Sequence, residues 1–123
     1  MATVTISVKG LKGMIAKLNA KKDDYEKKAK QALMQAGFFL EGEVKQSIAG
    51  HRAEHMSVDT GRFLQSVITR AKDESSVIVE TNVEYAPFLE YGTSKSPPRS
   101  HFRNSAARNK NKVKEIFMEK LKS

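Results

Sequence analysis

Two histidines and a glutamate stand close together near the middle of the chain, in the segment His51-Arg-Ala-Glu-His55. This segment matches H-x-x-E-H, a zinc-hydrolase pattern in which the histidines bind the metal and the glutamate activates the bound water. That chemistry requires both histidines on one face of a helix. Here the segment follows Gly50 in a polar stretch, with no apolar helix to present it. We interpret the histidines as incidental loop residues, and we predict no metal site and no cofactor.

A second reactive pattern is Asp59-Thr60-Gly61, the triplet of aspartic proteases. In that mechanism two carboxylates, one from each half of a dimeric site, share a proton. The triplet then lies among apolar strands of a nearly all-β protein. This chain has mainly helical patterns, and Arg62 follows the glycine directly. A helix-capping turn is the better interpretation, and we predict that the protein is not an enzyme.

The C-terminal quarter of the chain is basic. Residues 95–123 hold nine Lys or Arg against two Glu, whereas residues 1–94 hold 13 basic and 12 acidic residues. Such a segment suits nucleic acid or an acidic protein face, and the alternative is a solvated helix surface. The candidate basic docking face consists of Arg99, Arg103, Arg108, Lys110, Lys112 and Lys114.

Aromatic residues alternate with arginines in the same part of the chain. Tyr85, Phe88, Tyr91 and Phe102 stand near three of those arginines and can provide a stacking platform for single-stranded nucleic acid. The alternative is that they are core and interface residues, because the chain has only nine aromatic residues from which to build a core.

The elements that must position these residues can be read from hydrophobic spacing. Thr3 to Val8 alternates like a half-buried strand, and Leu11 to Ser47 has the spacing of one long helix or two helices. Gly37 and Gly42 lie inside that helical pattern, which suggests close packing against another backbone, such as that of a neighbouring subunit. Gly50 is a plausible end of the helix.

The second half of the chain begins with a predicted hairpin. Val67 to Lys72 and Val77 to Thr81 are rich in β-branched residues and are joined by a polar turn. Short helices are predicted over about 61–66 and 85–91, and a last helix begins near Ser100. The sequence therefore predicts one α+β domain over 1–123. In it a small antiparallel sheet, made of the N-terminal strand and the hairpin, is covered by a long N-terminal helix and a basic C-terminal helix.

Composition excludes several classes of protein. There are no cysteines, so disulfide frameworks and thiolate metal sites are excluded. No stretch approaches the roughly 20 apolar residues of a membrane span, and the first ten residues lack the apolar run of a signal peptide. The one-sided sheet and long amphipathic helices leave apolar surface that a monomer covers poorly, so we expect assembly.

Two segments resemble a known family. Asp59-Thr60-Gly61-Arg62-Phe63-Leu64-Gln65-Ser66-Val67 is similar to the Asp-Thr-Gly-x-Leu-x-x-Ser segment of siphophage small tail components, with Phe63 where leucine is more usual. Asn82 to Thr93 is similar to their Asn-x-x-Tyr-Ala-x-x-x-Glu-Tyr-Gly-Thr core. Ser96-Pro97-Pro98-Arg99 and Phe102 to Ala106 follow in the expected order, although Ser100-His101 departs from the approach to the last helix that the family has.

The resemblance implies a structural virion protein of a long-tailed bacteriophage or prophage. Members are neck or tail-completion proteins at the head–tail joint or tail end, commonly homo-oligomeric rings of six- or twelve-fold symmetry. Implied partners are the tail tube and a head-closure or connector ring, with DNA possible in the lumen and no membrane. Implied locations are the virion and, during assembly, the host cytoplasm. The alternative is a small basic nucleic-acid-binding protein that uses the C-terminal helix.

The candidate interface residues follow from these two segments: Asp59, Thr60, Gly61, Arg62, Tyr85, Glu90, Tyr91, Gly92 and Thr93. We expect the first two to cap the short helix and Gly61 to make a tight turn. Arg62 is expected to pair with Glu90, within the subunit or across an interface. The two tyrosines are expected to bury their rings. The alternative is that the residues of both segments serve only to stabilise the fold.

Overall fold

The computed structural model describes residues 2–7, 22–52, 61–73, 76–95 and 97–122. Over these residues the chain forms three strands and five helices. The elements, in chain order, are β1 (Ala2–Ser7), α1 (Lys22–Ile48), α2 (Arg62–Ser66), β2 (Ile68–Asp73), β3 (Ser76–Thr81), α3 (Ala86–Tyr91), α4 (His101–Arg108) and α5 (Lys110–Lys122). This order confirms the predicted α+β fold.

The three strands form one antiparallel sheet in the order β1-β3-β2. β3 pairs with β2 as the predicted hairpin, with an irregularity between Ala71 and Asp73. Its other edge pairs with the N-terminal strand, from Ala2 opposite Thr81 to Ser7 opposite Ser76. β3 is therefore the central strand, and all six of its residues are buried.

α1 packs on this sheet through a stripe of small and branched residues. The buried positions recur at helical spacing: Ala29, Ala32, Leu33, Ala36, Leu40, Val44 and Ile48. The helix ends where predicted, because Gly50 adopts a φ of 88° and the N–H of His51 donates to the carbonyl of Gln46. The part of the predicted helix before Lys22 lies outside the described residues.

The two glycines inside α1 have different surroundings. A Cβ on Gly37 would lie 2.6 Å from the Cγ2 of Thr69, and the Thr69 hydroxyl donates to the Gly37 carbonyl. Gly37 therefore allows the close approach of β2 in the same chain, not the approach of a neighbouring subunit. A Cβ on Gly42 would meet nothing within 4 Å.

The predicted single C-terminal helix is two helices that meet at Asn109. The backbone there leaves helical geometry (φ −108°, ψ 14°), and both the N–H and the side-chain amide of Asn109 donate to the Ser105 carbonyl. The break lets α4 bury Phe102 in a core with the second half of α1, while α5 buries Phe117 and Leu121 against the first half. None of the described helices is long and apolar enough to cross a membrane.

Substitution of the two glycines by alanine should change stability in opposite directions. Gly37→Ala forces the β-branched Thr69 side chain to move and should destabilise the fold by about 1–3 kcal/mol. Gly42→Ala has free space and should stabilise it by up to about 1 kcal/mol through helix propensity. Urea unfolding of both variants measures the difference, and equal shifts would contradict the two environments.

Candidate functional site

The two family-like segments meet around the ring of Phe63, which α2 buries. The Phe63 ring contacts Tyr85 edge-on at 5.8 Å between centroids and His101 edge-on at 6.0 Å. The ring of Phe102 lies at 6.5 Å with a tilt of 30°. Edge-on aromatic pairs of this kind stabilise a core beyond their buried area. The cluster holds α2, the start of α3 and α4 together.

Hydroxyl groups tie the end of α2 to the sheet. The Ser66 hydroxyl donates to the carbonyl of Phe63 at 2.6 Å and also bonds to the hydroxyl of Thr81, the last residue of β3. The same Thr81 oxygen accepts the N–H of Val83 at 3.2 Å. The serine that ends the first segment therefore sets where the second segment leaves the sheet.

The centre of the site is the buried carboxylate of Glu90, whose side chain is 3% exposed. One oxygen accepts the N–H of Phe102 at 2.9 Å, and the other accepts the N–H of Arg103 at 2.8 Å. These are the second and third residues of α4, whose N–H groups have no partner inside the helix. A negative charge is also favourable at a helix N-terminus. Glu90 therefore caps α4 from a different helix.

Arg103 closes this arrangement on the solvent side. Its Nε donates to the Glu90 carboxylate at 3.2 Å, and its terminal nitrogen donates to the Glu90 carbonyl at 2.7 Å and the Ser100 hydroxyl at 2.9 Å. The guanidinium lies 4.5 Å from the centre of the Tyr91 ring, a cation–π distance. The Ser100 hydroxyl also donates to the Glu90 carbonyl at 2.7 Å.

The expected pairing of Arg62 with Glu90 inside the subunit is wrong. Glu90 pairs with Arg103, which reaches it from the same helix end that the carboxylate caps. Arg62 instead lies 3.8 Å from Glu84 in a bridge between exposed side chains, a kind of contact that stabilises little. A pairing of Arg62 across an interface stays a prediction. Asp59 and Thr60 lie outside the described residues.

Two glycines of the family-like segments have backbone conformations that other residues rarely adopt. Gly61 precedes α2 with a φ of 80°, and Gly92 ends α3 with a φ of 78° and a ψ of 175°. The predicted turn at Gly61 is therefore confirmed, and Gly92 provides a similar left-handed φ at the end of α3. Thr93 follows in the turn, where its hydroxyl accepts the N–H of Lys95 at 3.2 Å.

The expected burial of the tyrosine rings is wrong. Tyr85 is 37% exposed, Tyr91 57% and their neighbour Phe88 62%. The six-residue helix α3 has only one inner face, which Ala86 and Glu90 occupy. The aromatic residues therefore face outward, and they are three of the five large apolar residues exposed in the described part of the chain.

The six residues of the candidate basic docking face do not share one environment. Arg103 belongs to the Glu90 arrangement, and Arg99 is half-buried before α4, where its N–H donates to the Leu89 carbonyl. Arg108 is exposed at the end of α4. Lys110, Lys112 and Lys114 are exposed in the first turns of α5, so only these three stand together on one element.

A buried serine–histidine pair escaped the sequence analysis. The Ser47 hydroxyl and the Nδ1 of His101 are 2.7 Å apart, and both residues are fully buried. The residue types are those of a nucleophile and its base, but a substrate cannot reach them. The pair joins the end of α1 to the start of α4. Their separation of 54 residues leaves no local signal from which it could have been predicted.

Only His51 and Arg52 of the histidine segment lie within the described residues. The Nδ1 of His51 lies 2.7 Å from the Gln46 side-chain oxygen, and His55 lies outside the described residues. No group of three or more metal-ligating side chains occurs in the described ranges. Next to His51, Arg52 forms a salt bridge with Glu43 at 2.6 Å. The hydrogen bond from Arg52 is the main cause that holds the pKa of Glu43 below its ordinary value.

Comparison with known proteins gives one match. Residues 12–92, about two thirds of the chain, match a protein-family model described as "Bacteriophage HK97-gp10, putative tail-component". The matched range contains both segments and ends at Gly92, so α4 and α5 lie beyond it. No curated protein and no solved structure matches the chain.

Removal of the Glu90 carboxylate should destabilise the protein strongly. Glu90→Ala leaves two helix N–H groups without an acceptor and should cost roughly 2–4 kcal/mol in urea unfolding. The matched control is Glu84→Ala, which removes an exposed carboxylate and should cost less than about 0.5 kcal/mol. In double-mutant cycles Glu90 should couple with Arg103 and be additive with Arg62. Coupling with Arg62 instead would contradict this assignment.

The salt bridge of Glu43 should make stability depend on pH in a defined window. A carboxyl whose folded pKa is lowered contributes stability above its unfolded pKa, near 4.3, and loses that contribution as pH falls through the folded pKa. Arg52→Gln should therefore lower the melting temperature at pH 7, and its difference from the wild type should shrink at a pH well below 4 to the part contributed by the Arg52 hydrogen bond to the His51 carbonyl. A constant difference across pH 3–7 would exclude the bridge as its cause.

Proposed function

The chain belongs to the HK97 gp10-like family of bacteriophage tail components, and from this premise we propose a specific role in the virion. The protein is a ring subunit at the head–tail joint or at the tail end, and it acts in tail completion or head–tail joining. The observation that carries this proposal is the family match, which spans both sequence segments. The partners are other neck and tail proteins: the tail tube and a head-closure or connector ring.

The positions of the residues in the two family-like segments support a binding function without catalysis. Two polar side chains of the family-like segments are bound inside the fold: Glu90 caps α4, and Ser66 anchors α2. The accessible residues of these segments include three large aromatic ones: Tyr85, Phe88 and Tyr91. Exposed aromatic residues on a rigid helix are typical of protein interfaces. We therefore propose that the second segment displays a contact surface and that the protein is not an enzyme.

The ring is proposed to have six or twelve subunits, and its assembly takes place in the host cytoplasm before the virion is complete. The exposed lysines of α5 offer two docking directions, toward DNA in the lumen or toward an acidic neighbouring ring. A surface of this kind adds long-range attraction and orientation more than affinity.

Deletion of the gene from its phage or induced prophage tests the proposal. Electron microscopy of the lysate should show separate heads and tails, or tails of abnormal length, in place of joined particles. A plasmid copy should restore joined particles, and mass spectrometry should find the protein in purified virions. Normal particles from the deletion strain, with the protein absent from wild-type virions, would contradict the proposed function.

A second function is favoured by one observation, the three lysines at the start of α5. Lys110, Lys112 and Lys114 are exposed, and no acidic residue lies in the first turn of that helix. A small nucleic-acid-binding protein would use them on phosphates, and its affinity for DNA would fall steeply with salt. The ring function requires only weak DNA affinity, so a DNA titration at two salt concentrations separates the two.

A further inference from the structure

The outward face of α1 carries a stripe of exposed residues without charge. The stripe consists of Gln31, Gln35, Phe38, Gly42 and Gln46. Their spacing of three or four residues places them on one side of the helix, opposite the buried residues, over about 22 Å. In a chain with 29% charged residues, the most solvent-facing side of a long helix normally carries lysine and glutamate. The core of a protein interface, in contrast, is depleted in charge.

Four charged residues that flank the second half of this α1 stripe are paired within the chain. Glu41 pairs with Lys45 at 3.3 Å on one side, and Glu43 pairs with Arg52 at 2.6 Å on the other. A partner that covers this half of the stripe therefore buries charges that are already paired, whereas the exposed Lys27 and Lys30 lie near its first half.

At Gly42 the α1 stripe has a hollow, meaning the open space left by the missing side chain, and no contact within the chain requires a glycine there. Glycine makes a helix less stable than alanine does. At Gly37 the missing side chain allows β2 to pack closely, whereas at Gly42 a side chain would displace no neighbour in the chain. One turn away, Phe38 is 54% exposed. Beside it runs a groove of about 400 Å³ between α1 and α5, lined by Lys30, Gln31, Met34, Gln35, Phe38 and Lys120.

A second neutral and apolar surface lies on α3. This α3 patch consists of Tyr85, Phe88 and Tyr91, whose exposed parts amount to roughly 300 Å². Its neighbouring charges are again paired inside the chain, Arg103 with Glu90 and Arg62 with Glu84. A stable complex buries roughly 800 Å² per partner, and an area of this size can supply the apolar core of such an interface, with polar residues around it as the rim.

We propose that these two surfaces bind each other between successive copies of the chain, with the α3 patch of one copy on the α1 stripe of the next. The inference rests on the proposed ring function and names its subunit contact. An aromatic ring of the α3 patch fills the hollow at Gly42 and the adjoining groove, whose Lys30 and Lys120 can lie against the ring faces.

A second copy is the occupant that the proposed ring requires, and charge and symmetry restrict where it can bind. Each copy has a net charge of +8, so two copies repel wherever their basic surfaces face each other. The α1 stripe and the α3 patch are two neutral surfaces at which they can meet without that cost. The surfaces also differ from each other, so the contact is head-to-tail. A head-to-tail contact closes into a ring when the rotation between successive copies divides a full turn, whereas a contact of one surface with itself stops at a dimer.

Cross-linking tests the contact cleanly because the chain has no cysteine of its own. Gln35→Cys lies on the α1 stripe, and Ser94→Cys lies beside the α3 patch; both native residues are exposed. A short bis-maleimide should link the double variant into a ladder of dimers, trimers and larger species, in concentrated purified protein or in purified virions. Either single variant should stay monomeric, because its one cysteine meets no other.

A blocking variant should remove the ladder without unfolding the protein. Gly42→Leu on the Gln35→Cys/Ser94→Cys background fills the hollow and should lower the yield of linked species at least tenfold. Asn111→Leu adds the same side chain to an exposed position outside both surfaces and should leave the yield unchanged. Circular dichroism of both variants checks that the fold is intact.

Three results would overturn the contact: no ladder from the double variant in either preparation, a linked dimer from a single variant, or no effect of Gly42→Leu. The gene-deletion phenotype decides the ring function separately. Joined particles that depend on the protein but contain no ladder would leave the function standing and the contact wrong. A ladder in purified protein, together with normal particles from the deletion strain, would leave the contact standing and the ring function wrong.

Discussion

The arrangement of the second half of the molecule depends on one buried carboxylate. Glu90 accepts two N–H groups at the start of α4 and binds the guanidinium of Arg103. Because Glu90 lies in α3, this single group joins both ends of the loop over residues 92–100, which contains two prolines and one residue outside the described set. Without an acceptor at this point, two buried donors would each cost about 1–3 kcal/mol. The chain would then lack a defined path from the sheet to the C-terminal helices.

A second contact makes the carboxylate effective. The pair of Ser47 and His101 fixes the start of α4 to the end of α1, so α4 is held from two directions at its first turn. Phe102 lies in the same turn, so these two contacts also fix the position of its ring in the core beside Phe63. As a result, α3 and its aromatic residues are held at a fixed orientation relative to α1. Surfaces on elements supported in this way keep their geometry better than surfaces on loops.

Much of the fold could be predicted from periodicity. The hairpin, the strand at the N-terminus and the buried stripe of α1 follow from spacing alone, since each depends on neighbours within a few residues. The break at Asn109 was missed because the apolar spacing continues across it from Phe102 to Leu121. The residue itself, an asparagine that bonds back to Ser105, was the available signal.

The site was less predictable because its contacts join residues distant in sequence. Glu90 was expected to meet an arginine, but the choice between Arg62 and Arg103 depends on which helix end lies nearby, and spacing does not reveal that. The tyrosines were expected inside because aromatic residues usually bury their rings, yet α3 has one inner face and Glu90 occupies it. The sequence predicted that residues 95–123 are basic. It did not predict that these basic residues lie in different environments, because that depends on the break between α4 and α5 at Asn109.

The pairing of β1 with β3 has a consequence for how the chain folds during synthesis. The residues of β1 pair with residues 69 to 79 positions later in the chain, from Ser76 to Thr81. Closing a loop of that length costs about 4 kcal/mol of chain entropy, and the closure cannot begin before two thirds of the chain has left the ribosome. The helix and the hairpin, whose contacts are closer in sequence, can collapse earlier. The N-terminal strand is then the last part of the sheet to join, and until it does the nascent protein carries an open β edge.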